Sequence, residues 1–390
     1  MTGRDVPLGA AVDLTELDRD AHVVLARLRP TGPVSWVPSL DGWLVTGYDA
    51  AVRVMRESDT FTVDDPRFST ARVVGTSMLS VDGAAHARHR APFVAPFRPA
   101  QVLDRFGDEV SALTEGLVDA LDLAGGEVDL RTGLAGPLSV AVVASVLGLD
   151  ASDAGTVLGW YAVIVDAVSS SSPDQPVPQR ARGAMEDLAH RVRAGLRRPA
   201  DGSLLTTAAG TLTEAEVVSN AAVMMFGGIE TTEGMILNAL LHVLDGVVDL
   251  ATLATDGALL AAVVEESLRM EPAAAVVDRY ATRDVEVAGA GIRHGDLVRV
   301  SLAGANRDPA VFPDPDTFDP RRANVRSQLS FAKGPHVCVA LDLARLEARV
   351  ALRTLAVRLP DLRLARPTAP RGLVFRKPPS LWVRLAVAAS

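Results

Sequence analysis

The stretch from Thr213 to about Asp245 reads as one helix of roughly 30 residues, and at about 1.5 Å per residue such an element crosses a whole domain. The remainder of the chain has to pack around that rod. Thr213 and Glu216 have the spacing of a capping box, which fixes where the helix starts. Its middle is unusual: "FGGIETTEG", Phe226 to Gly234, places two adjacent glycines in the interior, at a cost of roughly 1 kcal/mol each against alanine. Close packing against another element is one explanation. The other is chemical, because Glu230, Thr231 and Thr232 follow at once and set an acid and hydroxyls where the hydrogen-bond ladder is weakest. A groove opened there can hold water and relay protons.

Around this helix the pattern is mainly α with a smaller β region. Val34 to Thr46 holds two apolar pieces, "VSWVP" and "GWLVT", separated by Ser39 to Asp41, and reads as a hairpin. A helix follows at about 50–57. Ser58 to Leu79 lacks sustained periodicity and reads as a long loop of the kind that forms lids or binding surfaces. From His86 to about Leu149 the pattern is helical and punctuated by Pro92, Pro96, Pro99 and Pro137. "SSSSPDQPVP", Ser169 to Pro178, reads as the mobile tip of a helix pair spanning about 151–167 and 179–196. Without a long linker, residues 1–390 form one domain, helix-rich at about 82–272 and 341–359 and β-rich at about 34–46, 276–302 and 363–386.

The net charge of -9 leaves no basic block to displace counterions from phosphates, so a nucleic-acid partner is not expected. The N-terminal "MTGRDVPLGA" has no apolar stretch behind its charge, and runs such as Leu138 to Leu149 fall short of the roughly 20 residues that span a bilayer. A cytoplasmic protein without a membrane anchor is the expectation.

The one cysteine lies in "FAKGPHVCVA", Phe331 to Ala340. A lone cysteine is usually a small buried hydrophobe. Here Gly334 and Pro335 shape a loop, and a helical pattern starts at Leu341, so Cys338 sits beside a helix N-terminus, which favours the thiolate. A nucleophilic cysteine wants a histidine base, and His336 is two residues away. A zinc site wants several Cys or His ligands in recognisable spacing, which the sequence lacks. Iron held in a macrocycle needs a single protein thiolate, which explains why one cysteine suffices.

Two further patterns stand out. "EESLRMEP" puts Glu266 and Arg269 three apart at the end of a helix that stops near Pro272; on a solvated face such a pair is worth only tenths of a kcal/mol. "HARHR" puts His86 and Arg90 on one helical face, an arrangement that suits an anionic ligand or a plain surface.

In this order and spacing, the long helix with its acid and threonine, "EESLR", "HARHR" and the cysteine loop resemble the cytochrome P450 family of haem-thiolate monooxygenases, of the soluble bacterial type. "ANRDPAVFPDPDTFDPRR", Ala305 to Arg322, is similar to the stretch that precedes that family's haem loop. The resemblance covers nearly the whole chain and implies the P450 fold, a triangular helical prism with the long central helix over the haem. It makes Cys338 the axial thiolate of haem b, in a loop that includes Phe331 and Gly334. It makes His86, Arg90, Arg279 and His336 the partners of the haem propionates, and Glu266 with Arg269 a structural lock. Glu230 and Thr231 become the acid and alcohol that deliver protons to O2.

The family usually has glycine where this chain has Ala332 and Ala340, so both alanines are expected to keep negative φ. Ile229 stands where bacterial members often carry histidine. The implied activity is hydroxylation or epoxidation of a medium-sized hydrophobic small molecule in secondary metabolism, by a monomer. Met225, Phe226, Ile229, Val276, Val277 and Leu373 are the expected pocket. Electrons would come from a ferredoxin and its NAD(P)H-dependent reductase, and Arg345, Arg349 and Arg353 recur every four residues as a docking stripe or a solvated face. Oxidative coupling, desaturation, peroxide-driven oxidation and a non-enzymatic haem sensor are the alternatives that the same residues allow.

Overall fold

The computed structural model describes residues 7–149, 154–170, 176–197 and 203–385. Its axis is the helix Glu214–His242, capped by Thr213 with both halves of the capping box formed. The side chains around most of its circumference are buried, from Val217 to Leu241. A helix that is apolar all round is stable only inside a protein, and this one is enclosed by the helices Gly136–Val146, Gln179–Arg197, Gly257–Met270 and Leu341–Arg358. It gives way at His242 to a wider-wound π-helical turn, Val243–Val247, that ends the rod at Gly246 with φ 88°.

The two interior glycines have different reasons. A Cβ on Gly228 would lie 2.6 Å from Val143 Cγ2, so this glycine permits close helix packing. Gly227 meets open space. The ladder does not open between them, because the helix runs through without a break and the Thr231 hydroxyl bonds back to the Gly227 carbonyl.

The hairpin forms as expected: β1 (Val34–Val37) pairs antiparallel with β2 (Gly42–Val45), with Trp36 opposite Trp43. The pair joins a sheet of order β1-β2-β8-β5-β3, in which β5 is Val276–Ala281, β8 is Leu297–Ser301 and β3 is Phe61–Thr62. β3 and the helix Ser69–Val74 fall inside the segment expected to be one long loop. β6 (Val285–Val287) and β7 (Ala290–Ile292) form an antiparallel ribbon between β5 and β8 in the chain, and a further sheet joins β4 (Glu127–Asp129) to β10 (Trp382–Arg384) and β9 (Arg363–Leu364), so a strand also interrupts the region that reads as helical. Strands of two or three residues lack the length to show a period of two. Pro92 lies inside the helix Gly83–Val94 rather than ending it, whereas Pro99 opens the helix Pro99–Ala124. The flanks of the expected mobile tip are helices, Ala154–Ser170 and Gln179–Arg197, but residues 171–175 lie outside the described residues.

Glu266 and Arg269, which the spacing alone would leave on a solvated face, have side chains with 0% exposure. Their two-pronged pair has N–O distances of 2.8 Å. Arg269 also donates to the carbonyls of Asn306, Pro315 and Thr317, while Glu266 accepts from the Asp319 N–H and from Arg322. A buried ion pair is tolerated only when its remaining hydrogen-bonding capacity is met, as here, and losing one member typically costs about 3–5 kcal/mol. This cluster holds residues 306–322 in place just ahead of the cysteine loop.

That loop departs from expectation at one alanine. Ala340, the N-cap of the helix Leu341–Arg358, has φ -102° as expected, but Ala332 has φ 60°. The left-handed region costs a residue with a Cβ roughly 1–2 kcal/mol. Ala332→Gly removes that strain, partly offset by the roughly 0.4–1 kcal/mol that glycine adds to unfolded-chain entropy, for a net gain of up to about 1.6 kcal/mol. Ala340→Gly, with no strain to release, should cost about 0.5–1 kcal/mol. Urea unfolding midpoints are therefore expected to move in opposite directions; a lower midpoint for Ala332→Gly would show that its methyl packing outweighs the backbone strain.

Candidate active site

The loop 331–340 closes on itself through Cys338 N–H to the Phe331 carbonyl at 2.9 Å and Ala332 N–H to the Leu329 carbonyl at 2.8 Å. Gly334, with φ 76°, lets the loop pass the helix Tyr48–Arg56, since a Cβ there would stand 2.4 Å from the Met55 carbonyl oxygen. Its place is thus fixed by backbone approach, and it does not line the cavity described next.

Cys338 lies in the wall of a cavity of about 730 Å³ that runs between the central helix, β5, the helix Gly83–Val94 and the cysteine loop. Phe226, Gly227, Thr231, Val276, Val277 and Phe331 line it as well. Three members of the expected pocket do not. Met225 and Ile229 face the helical core, and Leu373 packs with the N-terminal helices, because a helix offers only one stripe to any one cavity. Phe375 takes the remaining place, edge-on to Phe226 with ring centroids 5.2 Å apart. Val63, Phe68, Met78 and Leu79 show that the 58–79 segment does reach the cavity.

The cavity wall carries positive charge, buried at Arg279 and partly buried at Arg90. The Arg90 guanidinium donates to the Val337 carbonyl at 2.6 Å and that of Arg279 to the Asp278 carbonyl at 2.7 Å. Among the described residues no carboxylate forms an ion pair with either, and loss of solvation lowers both pKa values. His336 donates from Nε2 to Asp82 at 2.7 Å. Burial would raise the Asp82 pKa, but the bonds from His336, Thr62 and the Val63 N–H pull it down to about 2. The His86 ring lies 4.2 Å from that of His336, and burial, with the charges of His336 and Arg90, pushes its pKa down to about 4. His86 Nε2 is buried without a hydrogen-bond partner. Two guanidiniums short of anions and an orphaned imidazole nitrogen fit a dianionic group such as a haem with its two propionates.

The sulfur behaves differently from expectation. Burial raises the Cys338 pKa, and this outweighs the Ala340 N–H bonded to it and the charges of Arg90 and Arg345. The helix N-terminus and these two cations together do not make up for the water that the buried sulfur loses. Among the described residues no three His, Cys, Asp or Glu side chains cluster to hold a metal, so a metal at Cys338 needs ligands from a cofactor.

Glu230, placed beside Thr231 by sequence, turns out of the cavity wall and meets Lys377 Nζ at 2.7 Å. Arg345 is not a free docking charge, because it pairs with both oxygens of Glu265 and covers the Phe331 ring at 4.7 Å. Arg349 donates to the Arg345 carbonyl, and Arg353 is exposed.

One cavity residue escapes the motifs altogether. Glu347 is 3% exposed, its Oε2 has no partner, and burial raises its pKa well above the usual 4.5. Folding therefore favours its protonated form, while the unfolded chain gives up this proton above about pH 4.5. The stability cost grows as pH rises from there towards the folded value. Glu347→Gln should thus melt at a higher temperature than the wild type near neutral pH, with the advantage shrinking as pH falls; a pH-independent difference would place the carboxyl in contact with water.

The cytochrome P450 family model matches residues 255–358. Cytochrome P450 monooxygenase PikC of Streptomyces venezuelae is 34% identical over 364 residues, 88% of this chain and 85% of that protein. Nocardicin C N-oxygenase of Nocardia uniformis subsp. tsuyamanensis is 31% identical, over 97% and 98%. The crystal structure of CalO2 superimposes with a TM-score of 0.88 at 30% identity, covering 97% of this chain and 99% of that one. Similarity of this extent, carried by a helical prism closed around the cavity of Cys338, means that the chain belongs to the cytochrome P450 family and is one of its monooxygenases.

Proposed function

We propose that this chain oxygenates a medium-sized hydrophobic small molecule in secondary metabolism, using haem b, O2 and two electrons from a ferredoxin and its NAD(P)H-dependent reductase. The observation that carries the reading is the meeting of Cys338, Thr231 and the unpaired cations Arg90 and Arg279 around one apolar cavity. The haem, when bound, supplies O2 activation at its iron. Cys338 would give the thiolate that holds the iron, and the metal's charge would offset the burial that raises the sulfur's pKa. The Ala340 N–H donates to this sulfur and tempers its electron donation. Arg90, Arg279, His336 and His86 hold the carboxylates, with Asp82 fixing the His336 ring.

Thr231 passes protons into the cavity, and Glu230 is the acid that resupplies it from the next position along the helix. Phe226, Phe375, Val276 and Val277 exclude water and present an apolar surface to substrate. A natural-product intermediate is the substrate class supported by the relative named for N-oxygenation of nocardicin C. Among the described residues no helix is long and apolar enough to cross a membrane, which is in keeping with reduction by a diffusing ferredoxin.

The deciding test is the carbon monoxide difference spectrum of the dithionite-reduced protein. A strongly red-shifted Soret band that Cys338→His abolishes is expected; a band typical of histidine-ligated haem in both proteins would overturn the assignment. Thr231→Ala should bind haem and ligands as before but release most of its reducing equivalents as hydrogen peroxide.

A further inference from the structure

The chain contains 37 arginines but only two lysines, Lys333 and Lys377. Lys377 is 9% exposed, an unusual position for a lysine. Gly234 makes its approach to the central helix possible: a Cβ there would stand 2.9 Å from Ala273 Cβ and 3.4 Å from Lys377 Cβ. The backbone around Lys377 is pinned, with Arg376 N–H bonded to the Ala273 carbonyl and Asn238 donating to the Arg376 carbonyl at 3.0 Å. Lys377 Nζ is thereby held 2.7 Å from Glu230 Oε1 and 2.9 Å from Glu233 Oε2. The other oxygen of Glu233 accepts from Arg131 Nε at 2.5 Å. Arg131 is 39% exposed and also donates to the Pro379 carbonyl.

A continuous chain of charges thus leads from the residue beside Thr231 to the surface: Glu230, Lys377, Glu233, Arg131. Two carboxylates face two cations, and the ion pairs turn the acids' oxygens away from the cavity. Arginine at position 377 would fork rigidly between the acids; lysine is a compact point charge on a flexible stem, able to move with either of them.

We propose that Lys377 is a positioning residue that latches Glu230 and thereby gates proton supply to the cavity. When Arg131 swings into water, Glu233 follows it, Lys377 moves with Glu233, and Glu230 is released to take up a proton and turn towards Thr231. The inference rests on the reading of Glu230 and Thr231 as the proton relay.

The test compares haem-loaded wild type with Lys377→Met and Lys377→Arg by infrared difference spectroscopy at neutral pH. Lys377→Met leaves two neighbouring carboxylates short of one cation, so a new protonated-carboxyl band is expected, lost again when either Glu230→Gln or Glu233→Gln is added. Lys377→Arg should show no such band. Absence of the band in Lys377→Met, or its persistence with Glu230→Gln, would overturn the latch. In parallel, substrate-free peroxide formation, driven by excess plant-type ferredoxin and its reductase, should rise roughly tenfold in Lys377→Met, and the double variant Lys377→Met/Glu230→Gln should lose this rise and fall to the wild-type rate or below it. A new band with an unchanged peroxide rate would leave the clamp standing and refute the relay reading of Glu230 itself. Should Lys377→Met fail to hold haem, Arg131→Gln, at the exposed end, is expected to give a weaker band of the same origin, and no band there would overturn the latch.

Discussion

Arg269 is among the largest side chains with no solvent exposure, and it is charged. Such a group is stable only because Glu266 neutralises it and backbone carbonyls from residues 306, 315 and 317 take its remaining donors. The same carboxylate also receives Asp319 and Arg322. One helical turn at the end of Gly257–Met270 therefore fixes a segment of irregular backbone that has little apolar surface of its own. The cysteine loop follows directly, and its position over the cavity descends from this cluster.

The cavity shows the opposite electrostatic condition. Arg279 and His86 are buried and Arg90 and His336 partly buried, Asp82 and, for Arg279, Asp278 are the anions near them, and His86 keeps an unsatisfied nitrogen. The Cys338 thiol is pushed towards its neutral form by the same loss of solvent. Each of these costs is relieved by one ligand that brings carboxylates to the cations and a metal to the sulfur. The fold thus stores at its centre an imbalance that a haem corrects, which couples cofactor binding to stability.

Polar groups near the central helix divide by side. Thr231 faces the cavity, whereas Glu230 and Glu233 lie three apart and turn to the C-terminal strand region, where Lys377 waits. Neighbouring residues on a helix point about 100° apart, so an acid and an alcohol adjacent in sequence do not share a surface without side-chain motion. On the proposed relay, proton delivery becomes a question of how the ion pair between Glu230 and Lys377 opens.

The sequence by itself determined the central helix and its capping box, the hairpin at Val34–Val45, the lone thiol beside a helix start, and the joint order of motifs that identifies the family. These are local signals, written in periodicity, caps and turn residues a few positions apart. Tertiary structure decided the rest. The short strands β3 and β4 exist only because distant partners pair with them, and Met225 and Ile229 face core rather than cavity because neighbouring helices claim that stripe. Ala332 adopts a positive φ that its residue type disfavours, since the surrounding loop bonds over-determine its backbone. Lys377 and Glu230 meet across 147 residues of chain, and Glu347 becomes an isolated buried acid. Desolvation and ion pairing depend on which surfaces meet in three dimensions, and spacing along the chain carries no record of that.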